Sequence, residues 1–246
     1  ATGNRAEWSG CLWSALAGQA EFSRMLGDDV LKRSAAVTAF FSAATVSLEM
    51  LLGLLFAILL NESFRGRGWA RAVALIPWAL PTAVMAMSWR WMYNDTYGVV
   101  NDLLMRAGLI AAPLAWLGRP ATAFWAAVFA DVWKTTPFVT IILLAGLQSI
   151  PKDLYEAMRM DGAGTWKQFR LVTLPLLRPA IALALLFRLI QAFGVFDLVW
   201  VLTGGGPAGS TRTVSLYIYD TIFRYLDVDY GAVITVTFMI AVFVVS

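Results

Sequence analysis

The sequence predicts an all-α, polytopic membrane protein, and three observations carry that reading. Apolar residues make up 59% of the 246 positions and charged residues only 14%, where a soluble domain carries about a quarter charged residues. The mean hydropathy is +0.68, and the apolar residues gather into runs long enough to cross about 30 Å of hydrocarbon. The runs are separated by short polar loops rich in Gly, Pro and Arg. Length is therefore read as a count of membrane spans rather than of soluble domains.

Residues 1–33 are mixed and form an expected extracytoplasmic N-terminal segment that includes Trp8, Trp13, Asp28 and Asp29. Within it, AEFSRMLGDDVLK reads as a short surface helix with its apolar side on a membrane or a neighbour. Residues 34–246 are the expected membrane domain. Ser34 to Leu60 is the first span. NESFRGRGWAR follows as a polar loop, and Ala72 to about Tyr93 is a second span broken by Pro77 and Pro81. A loop with one short helix leads to a third span, Ala121 to Leu147, which contains Pro137. After a polar interruption, Ala180 to Leu202 is a fourth span. A fifth begins near Tyr230 and is still running at Ser246.

The polar interruption, residues 150–179, reads IPKDLYEAMRMDGAGTWKQFRLVTLPLLRP. Pro151 suits a helix start, and Asp153 lies near the positive end of the helix dipole. Leu154, Ala157, Met158 and Asp161 trace one side. Gly162 and Gly164 stop the helix by entering the left-handed cap conformation. Thr165 is expected to cap a second helix from Trp166 to about Val172, ended by Leu174-Pro175. The product is a helix–turn–helix knob.

Charge sets an orientation. The loop holding the knob and the first polar loop carry Arg65, Arg67, Arg71, Lys152, Arg159, Lys167, Arg170 and Arg178. The two opposite loops carry only Arg106, Arg119, Arg212 and Arg224. An excess of cations marks cytoplasmic loops, so the knob is expected to be cytoplasmic.

Several classes are excluded. A net charge of +3, with no basic run interleaved with aromatics, does not point to nucleic acid. Cys11 alone excludes an internal disulfide and a Cys-rich metal site, and the absence of histidine removes His-based catalysis and ligation. No signal peptide is visible in ATGNRAEWSG. No G-x-x-x-x-G-K-[ST] occurs, so any nucleotide site belongs to a partner.

Polarity inside the spans marks a candidate site, because ionisable groups at bilayer depth normally face a cavity or one another. They are Glu49, Asp131 with Lys134, and Arg188. Asp131, Lys134, Thr135 and Phe138 fall at i, i+3, i+4 and i+7, one helical face, and Arg188, Gln191, Ala192 and Val195 repeat the spacing. Two polar-plus-aromatic strips suit the hydroxyl rim and apolar ring face of a sugar. The alternative is that the charges only pair with each other to hold the bundle together. Asp131 and Lys134, one turn apart, are expected to satisfy each other when no ligand is present.

Glu156-Ala157, Gly162 and Val172-x-Leu174-Pro175 resemble the EAA loop of ABC importer permeases, with Met158 and Val172 replacing the usual alanine and isoleucine. LTGGGP followed by a serine–threonine pair, and WKTTPF at Trp133–Phe138, are similar to the carbohydrate subgroup that handles maltose, trehalose and glycerol phosphate. The resemblance implies a type I ABC importer transmembrane domain, a MetI-like helical bundle, in a bacterial or archaeal cytoplasmic membrane. It implies that Glu156, Ala157, Asp161 and Gly162 couple to an ATPase. It also implies that Asp131, Lys134, Thr135, Phe138, Arg188, Gln191 and Val195 face the sugar, although residue types differ at most of these places. No catalytic residue and no cofactor is expected in this chain, since ATP and Mg would be bound by the partner ATPase. The implied partners are a second, different permease subunit, two cytoplasmic ATPase subunits, an extracytoplasmic sugar-binding protein and membrane lipid. Family members usually begin with one further membrane helix and the last helix here stops short, so the sequence is expected to lack its ends. Other readings are a permease for glycerol phosphate, a polyol or an oligosaccharide, and an ion-coupled secondary transporter. A membrane enzyme would have only Asp131 and Lys134 to work with.

Overall fold

The computed structural model describes residues 20–245, with side chains as far as residue 244. Trp8, Cys11, Trp13 and the start of the N-terminal segment lie outside the described residues, as does Ser246. Helices dominate: α1 (Asp29–Asn61), α2 (Arg67–Ala79), α3 (Thr82–Met92), α4 (Val99–Arg106), α5 (Pro120–Gln148) and α6 (Lys152–Met160). Next come α7 (Thr165–Phe193), α8 (Asp197–Leu202), α9 (Val214–Tyr219) and α10 (Val228–Val245). Among the described residues α1, α5 and α7 are long and apolar enough to cross a membrane, and the α2–α3 pair is a fourth span if its two halves count as one.

Local chemistry explains where each begins. Asp28 caps α1, its carboxylate accepting from the amides of Val30 at 2.8 Å and Leu31 at 3.0 Å, as an N-cap aspartate should. Pro81 does break the second span, whereas Pro77, expected to break it too, is carried inside α2. α2 and α3 meet at 91°, because Pro81 has no amide to continue the helix and biases Leu80 to an extended backbone. Pro120 opens α5, and Pro137 is carried inside it. Around Pro137 the hydroxyls of Thr135, Thr136 and Thr140 donate to the carbonyls of Asp131, Val132 and Thr136, so these buried hydroxyls are satisfied by their own helix.

The fourth span differs from its expected bounds. α7 runs unbroken from Thr165 through Pro175 and Pro179 to Phe193. A π turn at Phe169–Thr173 widens the backbone just before Pro175, with the Leu174 amide bonded to the Phe169 carbonyl. A π bulge and a proline both perturb the regular ladder, and placing them together lets one irregularity absorb the other. The N-cap is Gly164, and no side chain caps this end, so Thr165 does not have the capping role expected of it. The far end also shifts: Gly194 closes α7, and Asp197–Leu202 is a separate short helix. The fifth helix starts at Val228, two residues before Tyr230.

α1, α5 and α7 form the centre. α1 packs along α5, and both pack on α7. One apolar cluster joins Phe41, Met85, Trp89, Phe124, Val128 and Leu198, and a second joins Ala57, Val139, Leu143, Leu147, Leu177 and Ala184. Close approach uses small residues, the usual device of membrane helices: a Cβ on Gly146 would lie 2.6 Å from the Ala180 Cβ and 2.8 Å from Leu177 Cδ1.

Residues 20–27 are helical, and Met25 is buried against Val214, Tyr217, Tyr230 and Ile234, which gives the expected surface helix a neighbour for its apolar side. Asp28 ties this corner together. It accepts from the hydroxyls of Tyr217 at 2.5 Å and Tyr230 at 2.6 Å. Burial opposes ionisation, yet the two hydroxyls and the two backbone amides hold the Asp28 carboxyl below its usual range. Burial and the bond to Asp28 push the Tyr217 hydroxyl up to about 12, so it remains a donor at neutral pH.

A folded-state pKa lowered in this way stabilises the protein above the unfolded value and loses that contribution as pH falls through the folded one. Asp28→Asn should therefore lower the thermal midpoint of the purified protein by a few degrees at pH 7. The difference from the parent should vanish in acid below the ordinary carboxylate range. Equal midpoints at pH 7 would show that the tie does not stabilise the fold.

Candidate functional site

The buried charges of the three central helices converge. Glu49 of α1 is fully buried, Arg188 of α7 is 2% exposed and Asp131 of α5 is 7% exposed. Arg188 Nε donates to Glu49 Oε2. Its two terminal nitrogens reach Glu49 Oε1 at 2.8 Å, Asp131 Oδ2 at 3.2 Å and Gln191 Oε1 at 2.9 Å. Thr135 places its hydroxyl between Glu49 Oε1 and the Asp131 carbonyl. Every nitrogen of the guanidinium is thus satisfied, which is the condition for keeping such a group in a low-dielectric interior.

This arrangement corrects the expected pairing. Asp131 is joined to Arg188 across the helix interface rather than to Lys134 on its own helix. The planar guanidinium fork can serve two carboxylates at once, which a single ammonium one turn away cannot match geometrically. Lys134 points instead at the α2–α3 bend, where its Nζ lies 3.5 Å from the Trp78 carbonyl. That carbonyl belongs to the last turn of α2, the negative end of a helix. Phe138 stacks on Trp78 with ring centroids 6.0 Å apart and meets Phe187 edge-on at 6.2 Å.

Five of the seven expected substrate-facing residues, Asp131, Lys134, Thr135, Arg188 and Gln191, are brought to one place or its margin, with Phe138 beside Lys134. Gln191 is exposed. Val195 departs from the pattern: α7 ends at Phe193, so Val195 does not share the helical face of Arg188 and Gln191. It is half-buried against the cluster of Phe41, Met85 and Leu198, and its carbonyl accepts from the Thr213 hydroxyl at 3.1 Å. Trp78 was not among the expected site residues. Pro81, which breaks the span three residues on, was the available signal.

The knob is preserved as a unit. α6 has no buried residue, and Glu156, Ala157, Asp161 and Gly162 are all exposed. Gly162 has φ +72°. Its amide bonds to the Arg159 carbonyl at 3.0 Å and the Ala163 amide bonds to the Met158 carbonyl at 2.9 Å, the paired closure of a helix that ends in a left-handed glycine. Gln168 Nε2 donates to the Ala163 carbonyl at 2.8 Å, and the Tyr155 and Thr173 hydroxyls lie 2.9 Å apart. These bonds lash α6 to the foot of α7, leaving Met160 and Trp166 outward at 90% and 71% exposure.

Residues 49–246 match the family of binding-protein-dependent transport system inner membrane components. The chain belongs to that family. Membership makes it a multi-pass membrane transport subunit, as the apolar helices require. It is 48% identical over 230 residues to the trehalose/maltose transport system permease protein MalF of Thermococcus litoralis, covering 93% of this chain and 76% of that one. It is 39% identical to the sulfoquinovosyl glycerol transport system permease protein SmoG of Agrobacterium fabrum, covering 87% and 69%. It is 37% identical to the trehalose transport system permease protein SugA of Mycobacterium tuberculosis, covering 91% and 70%. Among solved structures, a bacterial ABC transporter that imports the acidic polysaccharide alginate superposes with a TM-score of 0.82 at 24% identity, covering 91% of this chain and 79% of that one. That likeness shows the fold, an ABC importer permease bundle, in agreement with the all-α expectation.

Removing Arg188 would leave two carboxylates facing each other at membrane depth. Breaking a buried pair costs about 3–5 kcal/mol, so Arg188→Leu should sharply reduce folded protein recovered from membranes. Adding Glu49→Leu to that variant should restore part of the loss, since one of the stranded charges goes with it. A single variant as stable as the parent in thermal unfolding would show that the network does not hold the bundle.

Proposed function

We propose that this chain is half of the translocation pore of an ATP-driven sugar importer, carrying a disaccharide such as trehalose or maltose. The observation that carries the reading is the polar and aromatic edge of the buried charge network, where Gln191 is exposed. Gln191 at its margin and Phe138 stacked on Trp78 supply an amide and an aromatic face, the usual partners of a saccharide ring. The high identity to a trehalose/maltose permease and the second likeness to a trehalose permease support the same class of solute.

On this reading the knob faces the cytoplasm and its exposed surface, Glu156, Ala157, Asp161 and Gly162 with Met160 and Trp166, seats on an ATPase subunit. Two such subunits bind ATP and Mg and perform the hydrolysis. A second, different permease subunit completes the pore, and an extracytoplasmic sugar-binding protein delivers the solute. The setting is the cytoplasmic membrane of a bacterium or archaeon.

Gln191→Ala tests the site. Gln191 is exposed, so in the variant water can accept from the Arg188 nitrogen that it served, and the complex should assemble and show basal ATP hydrolysis like the parent. Losing one hydrogen bond of about 1 kcal/mol should raise the apparent KM for trehalose uptake several-fold. Uptake kinetics equal to the parent would place the sugar elsewhere.

Gly162→Leu tests the knob. No atom lies within 4 Å of a Cβ built there, so the cost is purely conformational, about 1–2 kcal/mol for a left-handed leucine. The variant should insert normally but lose substrate-stimulated ATP hydrolysis, whereas Gly162→Asn, which tolerates this backbone, should keep most of it. Normal stimulated hydrolysis in Gly162→Leu would detach the knob from coupling.

A further inference from the structure

We propose that the first polar loop and the start of α2 form a binding site for the headgroup of an anionic phospholipid. Three arginines crowd the point where α1 leaves the apolar layer. Arg71 donates to the Leu60 carbonyl at 2.9 Å and Arg67 to the Asn61 carbonyl at 3.5 Å, so both are held against the last turn of α1. Arg65 is exposed. Among the described residues no ion pair joins any of the three to a carboxylate, and Arg71 Nε is buried with no hydrogen-bond partner. Glu62 is the lone acid between residues 62 and 71, so the loop carries uncompensated positive charge.

A surface groove of about 420 Å³ lies here, lined by Ser63, Phe64, Arg65 and Arg67. Gly66, at φ +90°, turns the chain into α2 and offers no side chain to cap it, so the first amides of that helix add to the positive end of the groove. Guanidinium groups paired with phosphate make strong, charge-assisted bonds, and Ser63 adds a hydroxyl donor.

The apolar side of the same feature selects a lipid over a free anion or an acidic protein. Trp69, Val73 and Ile76 are exposed at 80%, 57% and 55%, and their spacing of four and three residues sets them in one stripe along α2. Phe64, also largely exposed, borders the groove. A phosphate at the arginines with acyl chains along that stripe uses both halves of the surface; an acidic peptide would use only the first. Arginine and tryptophan side by side at the end of a span belong to the membrane interface, and basic pockets on the cytoplasmic side take anionic headgroups. Placing the site in the inner leaflet rests on the orientation proposed above; the binding itself does not.

The test uses the complete transporter purified into nanodiscs of equal phosphatidylglycerol and phosphatidylcholine, with retained lipids identified by native mass spectrometry. The parent should keep phosphatidylglycerol over phosphatidylcholine, and Arg65→Gln/Arg67→Gln should lose that preference several-fold. Arg71 is left intact because it also fastens α1 to α2. Millimolar inorganic phosphate should not displace the retained lipid; displacement would make this a free-phosphate site and overturn the proposal. Undiminished preference in the double variant would overturn it as well. So would loss of ATPase subunits from the variant with its lipid preference unchanged, which would assign the arginines to protein docking. None of these readouts requires transport, so failure here leaves the sugar reading standing.

Discussion

The structure depends on one guanidinium. Arg188 is 2% exposed, and charge at that depth is tolerated only when its donors find acceptors. Its acceptors come from α1, α5 and its own helix: Glu49, Asp131 and Gln191. This matters because apolar contact is not directional. A helix that is apolar on all sides can turn about its axis in lipid with little change in burial. A fork of hydrogen bonds to a fixed carboxylate cannot be turned in that way. The network therefore sets the rotation of the three central helices, and small residues such as Gly146 let them come close once the rotation is set.

Much of the fold was legible because membrane spans announce themselves by length and composition. α1 and α5 begin and end within a few residues of the expected bounds, and the bend of the second span follows from Pro81. The knob was legible too, since Asp153 and Gly162 are local signals of a helix start and stop. What failed was the reading of Pro175 as a terminator. Proline stops a regular α-helix, but a π turn just before it changes the ladder that the proline would break. Backbone widening of that kind leaves no mark in the residue types. The same error moved the start of the fourth span, while its far end was misplaced because Gly194 closes α7, which takes Val195 off the expected helical face.

The site shows the same division. Periodicity put Asp131, Lys134 and Thr135 on one face and Arg188 and Gln191 on another, and both faces meet. It could not say who pairs with whom, because spacing along one helix ranks neighbours in sequence and not across an interface. Asp131 lies nearest in sequence to Lys134, yet its partner is Arg188, fifty-seven residues on. The Asp28 tie to Tyr217 and Tyr230 spans still greater separations, and no local pattern marks it.

The continuity of α7 bears on mechanism more than any single contact. The knob is lashed to its foot through Gln168 and Tyr155, and Arg188 lies about 30 Å beyond Gln168 along the same helix at 1.5 Å per residue. Had α7 ended at Pro175, a push on the knob could have been absorbed at a joint. An unbroken helix instead carries displacement to the charged network, with the π turn as its one wider point. At the other end, opening the network would strand charges at a cost of about 3–5 kcal/mol, so α1, α5 and α7 are expected to move as one body. Compliance then falls to the breaks outside that body: the 91° bend between α2 and α3 and the Gly194 interruption after α7. On the importer reading, the first of these breaks adjoins the solute site directly, because Trp78 at the bend is the residue that Lys134 and Phe138 touch. A rocking of the central helices against α2 would thus change the distance between Trp78 and the body that carries Phe138 and the Arg188 network. Binding and release of a sugar held between Trp78 and that body would follow from that distance alone, without any charge having to leave its partner.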